Sequence, residues 1–510
     1  MNRLCLALCG CALMIMVQIA DAATVTVSTA NKLQEIDGFG FFGPMKTWWS
    51  SQTATDFWTS SWLDLVVDSL GLTIWRNEYY SEESGQDATW AKQKPFVQAL
   101  KAKADKSSVA IKFIYTVWTP PSSMKSNGDL KNGGNLLSSS YTAFGNWLVA
   151  GVKNYADAGV TLYGLSPQNE PLFQESYNSC VYTASTYKAM VAAVGPIVHQ
   201  AYPNVKIFGP EHMLFGMGKD YDYANLDPSK AVFDDPVASQ HLNLWACHGY
   251  GADGKTPTAS SEEATWWKNA WQRVGQATGR HMWMTETSGY GSTWDNALDY
   301  AMSIHAALYY GRLSGWVHWY GAGDIVTQTD VTAKGAVLKH YARFVRPGAQ
   351  AMTVSTGADS ATLLATAYLS GATFSTVLIN SGATDITASI NVTGLGAQVR
   401  KYQSTSSEKC VDKGMVSANA VSLPAKSVVT LVGTLSSSGV IAAFCAGAHQ
   451  GPLTAYRAPG TSVARDYLTE TYDLRGVKLR TDRTRTPTAG VYIVKTSGTV
   501  VKAIGEIGRR

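Results

Sequence analysis

Charge is scarce in this sequence. Only 16% of the 510 residues are Asp, Glu, Lys or Arg, against about 25% in an average soluble chain. The few basic residues are also badly placed for gripping a phosphate backbone. Residues 440–510 hold eleven Lys and Arg against five Asp and Glu, while the other 440 or so carry a slight negative excess. The body of the chain therefore lacks the basic face that nucleic acid would need. Cysteine is sparse too. Seven are present, and Cys5, Cys9 and Cys11 fall in the first twenty-two residues. Cys180, Cys247, Cys410 and Cys445 could close up to two disulfides in three alternative pairings, and their wide spacing is unlike a zinc site. His241, His248 and His281 have no metal-ligand spacing either, so neither a metal nor any other cofactor is expected. No Gly-x-Gly-x-x-Gly opens a helix, which removes the dinucleotide fingerprint.

Long apolar runs are absent after the start. Arg3 leads one such run, Leu4 to Ala20, and Ala20-Asp21-Ala22 offers a small-x-small cleavage site. This reads as a signal peptide cut after Ala22, the run being slightly short for a membrane anchor. A secreted or cell-surface protein with no membrane span is expected.

Aromatic residues, by contrast, are plentiful: 16 Trp and 25 Tyr. Rings in a weakly charged chain suit a globular enzyme or a protein that stacks them on a ligand. The length exceeds one ordinary domain but suits a large barrel with additions. Thr24-Val25-Thr26-Val27-Ser28 alternates as a strand does. Ile36 to Gly43 is a glycine-aromatic segment, read as a turn that brings backbone close to a pocket or closes a barrel edge. Helical stretches over 60–70, 92–103, 141–158 and 183–201 then alternate with short apolar strands over 72–76, 110–116, 162–166, 206–209, 244–248, 282–285 and 315–319. Strands alternating with helices predict a mainly parallel sheet, and about eight such units predict a (β/α)8 barrel over residues 36–346. Arg346-Pro347-Gly348 ends that pattern. Short alternating runs over 362–432 predict a β-sandwich at 347–435, joined by residues 23–35. Ser436-Ser437-Ser438-Gly439 opens a linker, 436–452. A basic β module of three strands is expected at 453–510, its charge forming a solvated face or an anchoring surface.

Two strands end alike. Leu162-Tyr163-Gly164-Leu165-Ser166 leads through Pro167-Gln168-Asn169 to Glu170-Pro171, and His281-Met282-Trp283-Met284-Thr285 leads to Glu286. In a barrel the loops after the strand C-termini carry the chemistry. A carboxylate pair there suits glycoside cleavage, in which one group protonates the leaving oxygen and the other acts at the anomeric carbon. Asn169 could hydrogen-bond a sugar hydroxyl. Trp118, Tyr250, Trp319 and Tyr320 fall at or after strand ends, where a ring either stacks on a sugar face or packs the core. Arg76 and His248 end strands as well, and either orient the carboxylates or serve structure alone.

Ser166-Pro167-Gln168-Asn169-Glu170-Pro171 and Trp283-Met284-Thr285-Glu286 resemble the two signatures of glycoside hydrolase family 30. So do Thr116-Val117-Trp118-Thr119-Pro120-Pro121-Ser122-Ser123-Met124-Lys125, Asn132-Gly133-Gly134-Asn135-Leu136 and His340-Tyr341-Ala342-Arg343-Phe344-Val345-Arg346-Pro347-Gly348, the last being most similar to the xylanase branch. The resemblance spans Gly38 to Val432. It implies a retaining double displacement on xylan or a related plant cell-wall polysaccharide, with Glu170 as acid/base and Glu286 as nucleophile. It also implies carboxyls roughly 5–5.5 Å apart and a Glu170 carboxyl raised by the Glu286 charge and by burial. Where glucuronate-dependent members carry arginine after the last barrel strand, this chain has Gly321-Ala322-Gly323-Asp324. Cleavage of internal β-1,4-xylosidic bonds without a glucuronate requirement is therefore expected. The alternatives are another β-linked glycan (β-1,6-galactan, β-glucan, glucuronoxylan), exo action as a xylosidase or xylobiohydrolase, and a non-catalytic carbohydrate-binding protein. The tail is similar to type IX secretion sorting modules or basic terminal modules of fibre degraders through its Asp-Leu-x-Gly and Ala-Gly-Val-Tyr-Ile-Val pattern, which implies a secretion-machinery or surface partner.

Overall fold

The computed structural model describes residues 23–44, 47, 58–81, 90–214, 226–250, 261–357 and 361–436, together with four strands between 470 and 505. The expected signal peptide, Cys445 and all but the first residue of the expected linker lie outside the described residues. Two compact units are present, Met1–His449 and Gln450–Arg510.

The first unit contains a closed parallel barrel of β2 (Gly38–Phe42), β3 (Ile74–Glu78), β4 (Lys112–Thr116), β5 (Leu162–Ser166), β6 (Lys206–Met213), β7 (Leu242–His248), β8 (Met282–Glu286) and β9 (Gly315–His318). The connecting helices are α1 (Ser60–Asp64), α2 (Trp90–Lys106), α3 (Tyr141–Asp157), α4 (Ala184–Ala201), α5 (Leu226–Phe233), α6 (Ala238–His241), α7 (Glu262–Ala270), α8 (Trp294–Tyr309) and α9 (Ala333–Ala342). Thr59, Thr183, Ser261, Thr293 and Thr332 each accept a backbone N–H at a helix start. Such a cap stabilises its helix by about 1 kcal/mol.

The segment around Gly38 is not a turn. It is the first barrel strand, buried along its whole length, and it closes the barrel by pairing with β9. Its glycines are required by crowding, because a Cβ on Gly40 would stand 1.8 Å from the Ile74 carbonyl oxygen.

Alternation along the strands divides the core. Ile74, Ile114, Phe208, Leu244, Ala246, Trp283 and Val317 fill the barrel interior. Trp75, Tyr115, Trp245 and Met284 face outward to the helices. The same alternation sends Arg76 and Glu78 inward above Ile74, and His248 inward above Ala246. Towards the strand starts, Trp283 stacks on Tyr163 at 5.7 Å and 4°. Asp37 Oδ2 there accepts from the Trp283 indole at 2.8 Å and pairs with His281 Nδ1 at 2.7 Å.

The side domain is a single nine-stranded sheet in which β1 (Ala23–Glu35) lies between β10 (Gln350–Ser355) and β13 (Ile386–Val392). The expected contribution of the N-terminal strand is thus present, antiparallel to β10 and parallel to β13. The domain has its own core, including Val25, Val27, Met352, Phe374 and Leu431. Helix α9 is pinned to it by His340, whose ring nitrogens meet Thr430 Oγ1 and Ser404 Oγ at 2.8 Å each.

No disulfide joins the described cysteines. Cys180, Cys247 and Cys410 are free and buried, and burial pushes the Cys180 thiol up to about 11 and Cys410 up to about 12. The second unit holds an antiparallel sheet of four strands, one more than expected, spanning Glu470–Tyr472, Lys478–Leu479, Gly490–Thr496 and Thr499–Gly505. Among the described residues, no helix is long and apolar enough to cross a membrane.

Candidate active site

Glu170 and Glu286, 116 residues apart, meet at the mouth of the barrel. One carboxylate oxygen of each and a ring nitrogen of His248 all lie within 4.8 Å of one another. Each glutamate arrives by a local irregularity. On β8, Cys247 pairs with Met284 but His248 pairs with Glu286. The additional residue, Thr285, makes a bulge that re-aims the next side chain, as bulges do, so Glu286 turns inward. Glu170 lies in the turn after β5 with φ +43°, a left-handed conformation that costs a non-glycine residue on the order of 1 kcal/mol and occurs at functional sites. Pro171 follows at once, and the Glu170 N–H donates to the Glu211 carbonyl at 3.0 Å.

Arg76 is the hub. Fully buried, it donates from Nη1 to Glu286 Oε2 at 2.6 Å, from Nη2 to Asn169 Oδ1 at 2.9 Å and from Nε to Thr116 Oγ1 at 3.1 Å. Its Nη2 also stands 3.2 Å from Glu211 Oε1. Burial disfavours its charge, but Glu211 and Glu286 outweigh that and raise its pKa. Tyr250 donates to the other nucleophile-candidate oxygen, Glu286 Oε1, at 3.0 Å. His248 Nδ1 is 2.8 Å from Glu170 Oε1, and its Nε2 is 3.7 Å from Glu286 Oε2.

This arrangement reverses one expectation. Burial pushes the Glu170 carboxyl up, but the His248 hydrogen bond and charge outweigh it and hold Glu170 below its ordinary value. Glu286 goes the other way. Its burial, with the Glu170 charge added, overcomes the pull of His248 and Arg76 and leaves it raised. His248 is itself raised, because Glu286 and Glu170 outweigh its desolvation. Glu170 lacked its expected elevation because the sequence could not show that a histidine reaches its carboxylate.

A cavity of about 610 Å³ lies over this cluster, lined by Glu78, Trp118, Asn169, Glu170, Tyr250, Glu286 and Trp319 among others. Trp118 and Trp319 are both there, with Phe42 stacked on Trp319 at 4.5 Å. One expected ring is not, and two residues expected to orient the carboxylates lie below the cavity wall. Arg76 and His248 are wholly buried beneath the lining, where they hold carboxylates. Tyr320 lies outside the lining, its ring 6.5 Å from that of His318. Asn169 lines the cavity with its Oδ1 already engaged by Arg76, so its amide N–H is what it offers a sugar.

The sequence reading missed Glu78, Lys131, Glu175 and Tyr177 in the lining and Glu211 beneath it. Burial pushes the Glu78 carboxyl up to about 8. Lys131 and Asn178 pair across two loops, a long-range contact that neither loop announces.

A (β/α)8 barrel with paired glutamates at its strand C-termini defines a glycoside hydrolase. Residues 84–327 match the sequence profile of the glycosyl hydrolase family 30 TIM-barrel domain, and the chain is a glycoside hydrolase. It is 25% identical to glucuronoxylanase XynC of Bacillus subtilis (strain 168) over 434 residues, covering 81% of this chain and 93% of that protein. It is 26% identical to the lysosomal acid glucosylceramidase of Mus musculus over 236 residues, 44% of this chain and 42% of that one. The fold is similar to that of the family 30 subfamily 8 xylanase Xyn30A from Clostridium acetobutylicum, with TM-score 0.65 and 24% identity over 81% of this chain and 99% of that one.

Proposed function

We propose that this protein is an exported retaining hydrolase that cleaves internal β-1,4-xylosidic bonds by double displacement, with no requirement for a glucuronate branch. Glu286 attacks the anomeric carbon while Glu170 protonates the leaving sugar oxygen; Glu170 then deprotonates the water that releases the product. The observation that carries this reading is the convergence of the two carboxylates, one oxygen of each lying within 4.8 Å of the other. Retaining pairs stand about 5–5.5 Å apart, whereas inverting pairs leave about 6.5–9.5 Å for a water. Arg76 and Tyr250 hold one oxygen each of Glu286 and so orient its lone pairs. His248 Nδ1, 2.8 Å from Glu170 Oε1, is placed to exchange a proton with it.

Independence from glucuronate is supported by the loop after β9. The run Gly321-Ala322-Gly323-Asp324 holds no arginine, and Asp324 is engaged inward, by His318 Nε2 at 2.6 Å and by Lys334 Nζ at 2.5 Å. The ionisable lining residues are Glu78, Glu170, Glu175 and Glu286 against Lys131; even with Glu78 neutral, its carboxyl being pushed up to about 8, acidic groups outnumber the one cation and disfavour a uronic acid. Similarity to XynC supports xylan as the polymer. The glucosylceramidase relationship keeps a second reading open, the same machinery acting on another β-linked glycan.

The test is reducing-sugar release from unbranched xylan, glucuronoxylan, β-1,6-galactan and β-glucan, with Glu286→Ala as control. Unbranched xylan should be cut at least as fast as glucuronoxylan, and Glu286→Ala should be inactive. Strict dependence on the glucuronate branch would sink the specificity reading; an active Glu286→Ala would sink the mechanism. Export is checked by locating the full-length protein in culture supernatant and surface fractions, where recovery only from the cytoplasm would refute it.

A further inference from the structure

We propose that Glu211 is a positioning residue for both catalytic carboxylates, holding Glu286 through its side chain and Glu170 through its backbone. Strand β6 is irregular at this residue: Pro210 pairs with Ala246 and His212 with Cys247, so Glu211 is left unpaired between them. Its φ is +55°. A glutamate held in that conformation within a strand points to a constraint beyond the sheet itself.

Two constraints are visible. The Glu211 carbonyl turns to accept the Glu170 N–H at 3.0 Å, which fixes the other left-handed residue of the site. The fully buried carboxylate accepts from Thr116 Oγ1 at 2.8 Å and faces Arg76 Nη2 at 3.2 Å. Thr116 in turn accepts from Arg76 Nε. Glu211, Thr116 and Arg76 thus close a ring, and this ring aims Nη1 at Glu286.

The charge matters as much as the aim. Arg76 faces two carboxylates, so its charge is divided between them. With Glu211 neutral, the whole of Arg76 would act on Glu286, and one negative charge would vanish from beneath both catalytic groups. Both would then ionise more readily. Bell-shaped profiles of this kind report the nucleophile on the acid side and the proton donor on the alkaline side. Both limbs should therefore move to lower pH by about one unit, the size expected for a charge several Å away in a buried site.

This inference rests on Glu286 and Glu170 being the nucleophile and acid/base. The experiment measures kcat/KM against pH for wild type, Glu211→Gln and Glu286→Gln, on whichever polysaccharide the wild type cleaves best. Glu211→Gln keeps the shape and should give a 10- to 100-fold lower maximum with both limbs displaced to acid. A purely structural role would lower the melting temperature and leave the limbs in place, and that result overturns the inference. Glu211→Asp keeps the charge but withdraws it from Arg76; it should show a smaller displacement in the same direction, and it decides the matter if the Gln variant fails to fold. An active Glu286→Gln would instead refute the catalytic assignment, whatever Glu211→Gln does.

Discussion

Arg76 Nη1 and Glu286 Oε2 stand 2.6 Å apart with the arginine wholly buried. Glu211 shares the same guanidinium, so removing it strands two carboxylates away from water. Arg76→Met should cost about 3–5 kcal/mol, as when one partner of a buried pair is deleted. Arg76→Lys keeps the charge but not the fork, and one ammonium cannot reach Glu286, Asn169 and Thr116 together. It should fold and lose about 100-fold in kcat. Urea denaturation and initial rates check the two outcomes separately, and a Met variant as stable as wild type would contradict the electrostatic account.

Tyr250 acts on one carboxylate only. Its hydroxyl donates to Glu286 Oε1, which stabilises the ionised form. Tyr250→Phe should raise the Glu286 pKa, move the acid limb of kcat/KM to higher pH and leave the alkaline limb unchanged. The rate should fall roughly 10- to 100-fold, the weight of a hydrogen bond to a charged group.

His248 touches both. Its hydrogen bond and charge hold Glu170 down, and it also lowers Glu286 against that group's burial. His248→Asn removes the charge, so both limbs should shift to higher pH by about one unit. This is opposite in sign to the displacement expected for Glu211→Gln. A pH series on the two variants, run side by side, makes the comparison internal.

The base of the barrel predicts a stability effect. His281 is raised, chiefly by its hydrogen bond to Asp37 and then by the Asp37 charge against partial burial. A raised histidine contributes stability that is fully present below its unfolded pKa of about 6.5 and lost as pH rises through the folded value. His281→Gln should therefore lower the melting temperature more at pH 5.5 than at pH 8.5. The difference should be small, under about 1 kcal/mol, because the side chain is 45% exposed and solvent screens the pair.

The sequence carried the architecture well, because parallel barrels write short buried strands between amphipathic helices. Its misreading of the segment at Gly38 came from glycines that serve close packing and look like a turn. The site was less legible. Four strands carry a glutamate at, near or just past their C-terminal ends: Glu78, Glu170, Glu211 and Glu286. Strand-end position alone cannot rank them. Asn169 and Pro171 marked Glu170, and Thr285-Glu286 followed an obvious strand. Glu211 was hidden because Gly209-Pro210 looks like the end of β6, although the strand continues to Met213. Glu78 was hidden because the apolar run of β3 ends at Arg76, two residues earlier on the same inward face. What singles out three of them is the partner each meets across the barrel, His248 for Glu170, Thr116 for Glu211 and Arg76 for Glu286, and those partners lie 78 to 210 residues away in the chain.

Asp324 narrows the routes by which this enzyme could change its diet. A cation introduced into the loop after β9 at Asp324 would meet charges already in place. Asp324→Arg would place that cation against Lys334, 94% buried at its side chain, and remove the only acidic partner that Lys334 meets among the described residues. The substitution would first have to survive as a folding defect. A cation at position 324 is therefore tied to a change at Lys334, so the two positions are coupled in charge.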